Sequence, residues 1–170
     1  MVKVFGAKCI GIEALRVMVE ITIEAGIGVH MVGLCDTAVK ESLLRTITAL
    51  QSIGFRIPGK KIVINLAPAD LHKNGSGYDL PIAIGILAGS GQIERSLHEN
   101  FLIMGELGLD GSVREIQGAL PIAELAINEG FKGLILPIDS ALECSDMRGI
   151  EVYGVKTLEE VIEIISGDEK

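Results

Sequence analysis

The sequence predicts a mixed α/β, or α+β, single domain. Three observations carry that reading. First, Leu15, Val17, Val19, Ile21 and Ile23 alternate with Arg16, Met18, Glu20, Thr22 and Glu24, and period two marks a half-buried strand. Second, beyond residue 36 helical periodicities alternate with short β-branched runs, as parallel-type crossovers require. Third, 170 residues are enough for one domain with a sizeable core.

In order, residues 2–9 read as a first strand and 14–25 as a second. Gly26-Ile27-Gly28 is a turn, and residues 29–34 are a third, more apolar strand. These three are expected to form a β-meander. Asp36 or Thr37 caps a helix to about residue 53, with Val39, Leu43, Ile47 and Leu50 as its buried stripe. Gly54 suits the C′ position and Phe55 the C″ contact. Ile62, Val63 and Ile64 form a buried strand that Asn65 and Pro68 end. A polar turn covers residues 70–77. Asp79 sits where an N-cap belongs and Pro81 in the first helical turn. Ile82, Ala83, Ile84, Ile86, Leu87 and Ala88 make this helix apolar nearly all round, so it is expected at the centre of the core.

Residues 101–109 read as a strand, Asp110-Gly111 as its turn, and 113–116 as a short returning partner. A helix follows over 119–129, with Gly130-Phe131 repeating the Gly-Phe exit. Residues 134–136 are a strand ending at Pro137. Asp139 or Ser140 is expected to cap a short helix to about 147, and 151–155 is the last strand. Thr157-Leu158-Glu159-Glu160 is a capping box, opening a helix with Leu158, Val161, Ile162 and Ile165 inward.

Composition narrows the function. No apolar run approaches the ~18 residues of a membrane span, and the first residues lack a signal-peptide core. Cys9, Cys35 and Cys144 are odd in number and far apart, which suggests a reducing cytoplasm and no metal or disulfide pattern. The net charge is −8. Residues 1–75 carry nine Lys/Arg against six Asp/Glu, and residues 76–170 six against seventeen. An acidic domain is a poor independent nucleic-acid binder, which leaves Arg56, Lys60 and Lys61 as a local basic alternative.

Candidate chemistry is sparse. Residues 54–60 spell G-x-x-x-x-G-K, but Lys61 stands where Ser or Thr would hold Mg²⁺. Helix before strand is also the wrong order for a P-loop. Gly75-Ser76-Gly77 ahead of a helix offers an anion cradle, opposed by a carboxylate at Asp79 if it caps that helix. Ser76 with Lys73 invites a Ser/Lys nucleophile; in a glycine-rich turn the lysine is expected to be solvated and charged. His30, His72 and His98 form no ligand spacing and read as single surface or strand histidines. Asp70, Asp79, Glu106 and Asp110 are carboxylates that only the fold can bring together. No catalytic, cofactor-binding or metal-binding residue is assigned.

Residues 65–88, beginning Asn-Leu-Ala-Pro-Ala-Asp-Leu-His-Lys-Asn-Gly-Ser-Gly-Tyr-Asp, resemble the Mg-chelatase-like family of bacterial AAA+ proteins, ComM/YifB. So do Leu34-Cys-Asp-Thr-Ala-Val-Lys-Glu-Ser, Met104-Gly-Glu-Leu-Gly-Leu-Asp-Gly-Ser-Val-Arg and Gly130-Phe-Lys-Gly-Leu-Ile-Leu-Pro. The resemblance covers nearly the whole chain. It implies that residues 1–167 are the family's N-terminal domain, similar to the Lon proteolytic domain within the ribosomal protein S5 domain 2-like fold. Residues 168–170 would start a linker to an AAA+ module. It also implies a cytoplasmic parent protein that uses ATP and Mg in that module. The parent would form a homo-oligomeric ring and act on branched DNA in transformation and recombination, with no membrane partner. Lon-type domains use a serine in a glycine-rich loop and a lysine near the start of a later helix. Laid on those motifs, Gly77 falls at the serine and Leu120 at the lysine, with Ser76 one position off. The implied domain is non-catalytic and serves assembly, regulation or substrate handling. The alternatives are a Lon-type peptidase using Ser76, an anion-binding module at residues 75–77, and a nucleic-acid-binding module through Arg56, Lys60 and Lys61.

Overall fold

Strict alternation builds the longest strand. In the computed structural model, which describes residues 1–93 and 96–167, β2 (Glu13–Glu24) folds back on β1 (Val2–Ile10) as an antiparallel hairpin. Then come β3 (Val29–Val32), α1 (Thr37–Ser52), β4 (Lys61–Ala67) and α2 (Asp79–Gly89). The second half holds β5 (Phe101–Ile103), the small hairpin β6 (Glu106–Leu107) and β7 (Val113–Arg114), and α3 (Ala119–Asn128). It closes with β8 (Gly133–Pro137), α4 (Ile138–Leu142), β9 (Glu151–Val155) and α5 (Leu158–Ile165). The expected linker residues 168–170 lie outside the described residues.

Seven strands form one mixed sheet in the order β3-β4-β2-β1-β5-β8-β9. Every pairing that involves β2 is antiparallel and every other is parallel. The mixed α/β expectation therefore stands, but the opening meander does not. β4 inserts between β2 and β3, and β3–α1–β4 is already a parallel crossover. Burial decides it. Ile62, Ile64 and Leu66 of β4 are fully buried, whereas Val32 of β3 is half exposed, so the apolar strand takes the inner position and β3 the edge. Asn65 does not end β4. It faces away from the core, and its amide donates to Glu20 on the neighbouring strand at 2.7 Å.

One face of the sheet holds the main core. Val17, Val19 and Ile21 of β2 join the buried β4 residues beneath α2, in which every residue from Leu80 to Leu87 is buried. Each large aliphatic side chain so buried contributes roughly 1.5–3 kcal/mol. Gly85 permits the close approach: a Cβ there would lie 2.6 Å from Ile21 Cγ1. On the opposite face α3 is tied to β1 and β2. Phe131, at its exit, packs edge-to-face on Phe5 at 5.5 Å, and Arg16 pairs with Glu129.

Both Gly-Phe exits form as expected. Phe55 N–H reaches Leu50 O and Gly54 N–H reaches Gln51 O; Phe131 and Gly130 repeat this on Ala126 and Ile127. These are Schellman pairs around glycines at φ +97° and +80°. Asp36 caps α1 by accepting from Val39 N–H at 2.8 Å. The α1 stripe is rotated from expectation: Val39, Ser42, Thr46, Ala49 and Leu50 are buried, while Leu43 and Ile47 are only partly so. Small polar side chains let α1 approach the start of α2, where Thr46 Oγ1 lies 3.5 Å from Asp79 O. The α4 cap differs too. Pro137 precedes that helix, and Ser140 is buried within it, bonded to the Ile116 backbone. Thr157 caps α5 through Glu160 N–H, while Glu160 returns to Lys156 N–H rather than to Thr157.

Candidate functional site

The glycine-rich loop ahead of α2 lines a cavity of about 450 Å³. Its other walls are Lys8 and Cys9 of β1, Met104 after β5, Glu115 and Gln117 after β7, and Ile122 of α3. Two hydrogen bonds seat the loop on the chain leaving β5: Gly105 N–H to Gly77 O at 2.9 Å, and Leu80 N–H to Gly105 O at 3.0 Å.

Asp79 is not an N-cap. Tyr78 holds that position and Asp79 is the first helical residue. Its carboxylate, fully buried, turns to α1. It accepts from Arg45 Nε at 2.8 Å and Nη2 at 3.1 Å, and from Leu107 N–H at 3.0 Å. Burial pushes the Asp79 carboxyl above its usual range, against the pull of Arg45, while the pairing raises Arg45. Charge buried at this cost fixes geometry more than it adds stability: the pair locks the start of α2 to α1 and to the β6–β7 hairpin. With Asp79 turned to Arg45, the expected objection to an anion at residues 75–77 falls away.

Lys73 also departs from expectation. It is not solvated but fully buried. Its ammonium donates to Gly33 O at 2.8 Å and to Pro68 O, and its backbone bonds Leu34 O and Asp36 N–H. Burial pushes its amine below the usual value. Lys73 is thus a staple between the loop and the β3–α1 turn. Lys8 lines the cavity and donates to His72 O. Among the described residues, no lysine or histidine hydrogen-bonds Ser76.

The two aligned positions have clear surroundings. A Cβ on Gly77 would lie 2.8 Å from Met104 Cε and 3.4 Å from Ile116 Cγ2, so Met104 fills the space a side chain there would need. Leu120 is half exposed. Met104 and Arg45 were not singled out from the sequence. Arg45 had an indirect signal, since a carboxylate next to a wholly apolar helix needs a cation.

The remaining candidates stay apart. Asp110 receives Ser112 N–H in the hairpin turn and Asp70 is exposed in a separate groove. Only Glu106 falls near the Arg45–Asp79 pair. His30 and His72 are exposed, but His98 is buried, with Nδ1 2.6 Å from Ser96 Oγ. The three cysteines are free, and burial pushes each thiol up, away from thiolate reactivity. Among the described residues no His, Cys, Asp and Glu group of three or more is placed to hold a metal, and no helix is long and apolar enough to cross a membrane.

Known proteins resemble this chain along most of its length. It is 39% identical to competence protein ComM of Haemophilus influenzae over 98% of this chain and 33% of that protein. It is 44% identical to YifB of Escherichia coli over 74% of this chain and 25% of that protein. An archaeal Lon protease of Methanocaldococcus jannaschii is 25% identical over 95% of this chain and 26% of its own length. The chain thus spans about a third or less of these relatives. The family profile described as subunit ChlI of Mg-chelatase matches residues 19–140. The chain belongs to this Mg-chelatase ChlI family, matching its ComM and YifB relatives over most of its length.

Proposed function

We propose that this chain is a non-catalytic, Lon-like N-terminal domain of a longer Mg-chelatase-like AAA+ protein, in the S5 domain 2-like fold. Its work is assembly, regulation or substrate handling for the motor. The observation that carries the reading is Gly77: it takes the nucleophile's place in the Lon motif, and Met104 occupies the space beside it. Two observations support it further: Lys73, the nearby lysine that a Ser/Lys reading needs, donates to the Gly33 and Pro68 carbonyls, and Lys8, which lines the same cavity, donates to His72 O. The parent protein, by family, is a cytoplasmic ATPase that uses ATP and Mg in its AAA+ module, forms a homo-oligomeric ring and acts on branched DNA.

A serine-reactive fluorophosphonate probe tests the reading, since it labels only an activated hydroxyl. The chain is expected to remain unlabelled and to leave unstructured peptides uncut. Labelling that disappears in Ser76→Ala would overturn the proposal in favour of a peptidase. Deleting the domain from the full-length protein supplies the positive arm: ATP hydrolysis is expected to survive, and its coupling to DNA remodelling to fall.

A further inference from the structure

The glycine-rich loop is anchored at both ends and open between them. On one side the Lys73 backbone bonds Leu34 O and Asp36 N–H; on the other Gly77 O receives Gly105 N–H at 2.9 Å. Asn74 and Gly75, between these anchors, are exposed. Neither the Asn74 side-chain amide nor the Gly75 N–H has a hydrogen-bond partner among the described residues. Gly75 stands at φ +89°, and a Cβ there would meet no atom within 4 Å. The backbone nitrogen that follows Asn74 is therefore free, and glycine puts no side chain in the way of its approach to Asn74 Cγ.

Elsewhere the fold blocks the same approach. Asparagine occurs at positions 65, 74, 100 and 128. Asn65 donates to Glu20, and the next residue, Leu66, is buried in the β4 ladder opposite Val19. After Asn100, Phe101 N–H is held by His98 O; after Asn128, Glu129 N–H is held by Leu125 O at 2.9 Å. Asp110-Gly111 has the atoms for the same ring closure, but Gly111 N–H is bonded to Gly108 O at 3.0 Å.

We propose that Asn74 is a site of spontaneous deamidation, a modification that changes the charge of the cavity. Asparagine is among the thermolabile side chains, and here the chemistry needs only solvent. The Gly75 nitrogen gives its proton to solvent base and attacks Asn74 Cγ. The Cγ–Nδ2 bond breaks, ammonia leaves, and a five-membered succinimide remains. Water then adds to one of its two carbonyls. Opening at Cγ restores the chain with aspartate. Opening at the Asn74 main-chain carbon gives isoaspartate, with one more carbon in the backbone path. The balance is one water consumed for one ammonia released. Either product carries a carboxylate that is ionised at neutral pH. Lys8 and Glu115 are the charged side chains among the residues that line the cavity, so the modification turns a balanced wall net negative. Isoaspartate also lengthens the short path between the two anchors. The proposal rests on the loop backbone and not on the role of the cleft, so its failure leaves the non-catalytic reading standing.

Peptide mapping of the folded 170-residue chain, held in mildly alkaline buffer and sampled over days, tests it. Aspartate and isoaspartate are expected at position 74 at least tenfold faster than at positions 65, 100 and 128. Hydroxylamine, which cleaves a succinimide, is expected to cut the folded chain between residues 74 and 75. Asn74→Gln, in which closure needs a six-membered ring, is expected to resist both, with circular-dichroism melts matching the wild type to establish that it is folded. Conversion at position 74 only after urea unfolding overturns the proposal, because the fold then protects the loop. So does conversion spread evenly over the four asparagines, and so does hydroxylamine treatment that leaves the folded chain whole.

Discussion

Two side chains, Asp79 and Lys73, decide how the glycine-rich loop is held, and both carry charge into the interior. Asp79 has its cation 34 positions earlier in the chain, and no local pattern points to it. Removing one partner of such a pair leaves a charge uncompensated. Arg45→Met is therefore expected to cost about 3 kcal/mol at neutral pH. The sign of its pH dependence follows from losing the guanidinium that pulls the Asp79 carboxyl down against burial: without Arg45 the folded state holds a proton to higher pH than the wild type does, while both unfolded chains release it above pH ~4. The deficit should shrink as pH falls toward that value, which urea midpoints at neutral and acid pH will measure. Lys73→Met keeps the stem and removes the donors to two carbonyls, with an expected loss of about 1–3 kcal/mol. Burial depresses the Lys73 amine, so the unfolded chain binds the extra proton between that lowered value and about 10.4. Wild-type stability should therefore gain on Lys73→Met as pH rises through that window, and parallel urea titrations will show whether the gap widens.

Helices and strands were legible where the signal is local. The two Gly-Phe exits, the Asp36 and Thr157 caps and the apolar α2 all depend on residues within one helix or a turn of its end. Three readings at this scale failed because a partner in space overrode the local rule. The α1 face rotated to put Ser42 and Thr46 against α2, β4 ran through Asn65 because Glu20 accepts its amide, and Ser140 was drawn inward by the Ile116 backbone. The same contacts make the α2–β2 interface sensitive to a single methyl group. Gly85→Ala would drive its Cβ to 2.6 Å from Ile21 Cγ1, and overpacking of this kind costs about 1–3 kcal/mol. Thermal melts should show that loss, and in an Ile21→Ala background, where both Cγ1 and Cδ1 are gone, the same Gly85→Ala change should cost less.

At the scale of the whole molecule, one contiguous core joins both halves of the sequence, from Val4 to Ile165. A core shared in this way predicts one cooperative transition. Urea unfolding followed by far-UV circular dichroism and by the fluorescence of Tyr78 and Tyr153 should give coincident curves, and separated midpoints would divide the domain. The sequence by itself determined the mixed α/β class, the central place of α2, the family, and the element order except at residues 101–109, which read as one strand and form β5 and β6. Each of these depends on hydrophobic period, on turn chemistry or on motifs written contiguously. Only the tertiary structure decided the strand order, the Arg45–Asp79 pair, the burial of Lys73 and the seating of Met104 beside Gly77. Those depend on which distant segments meet, and buried charge and space are shared between segments that no short window of sequence contains.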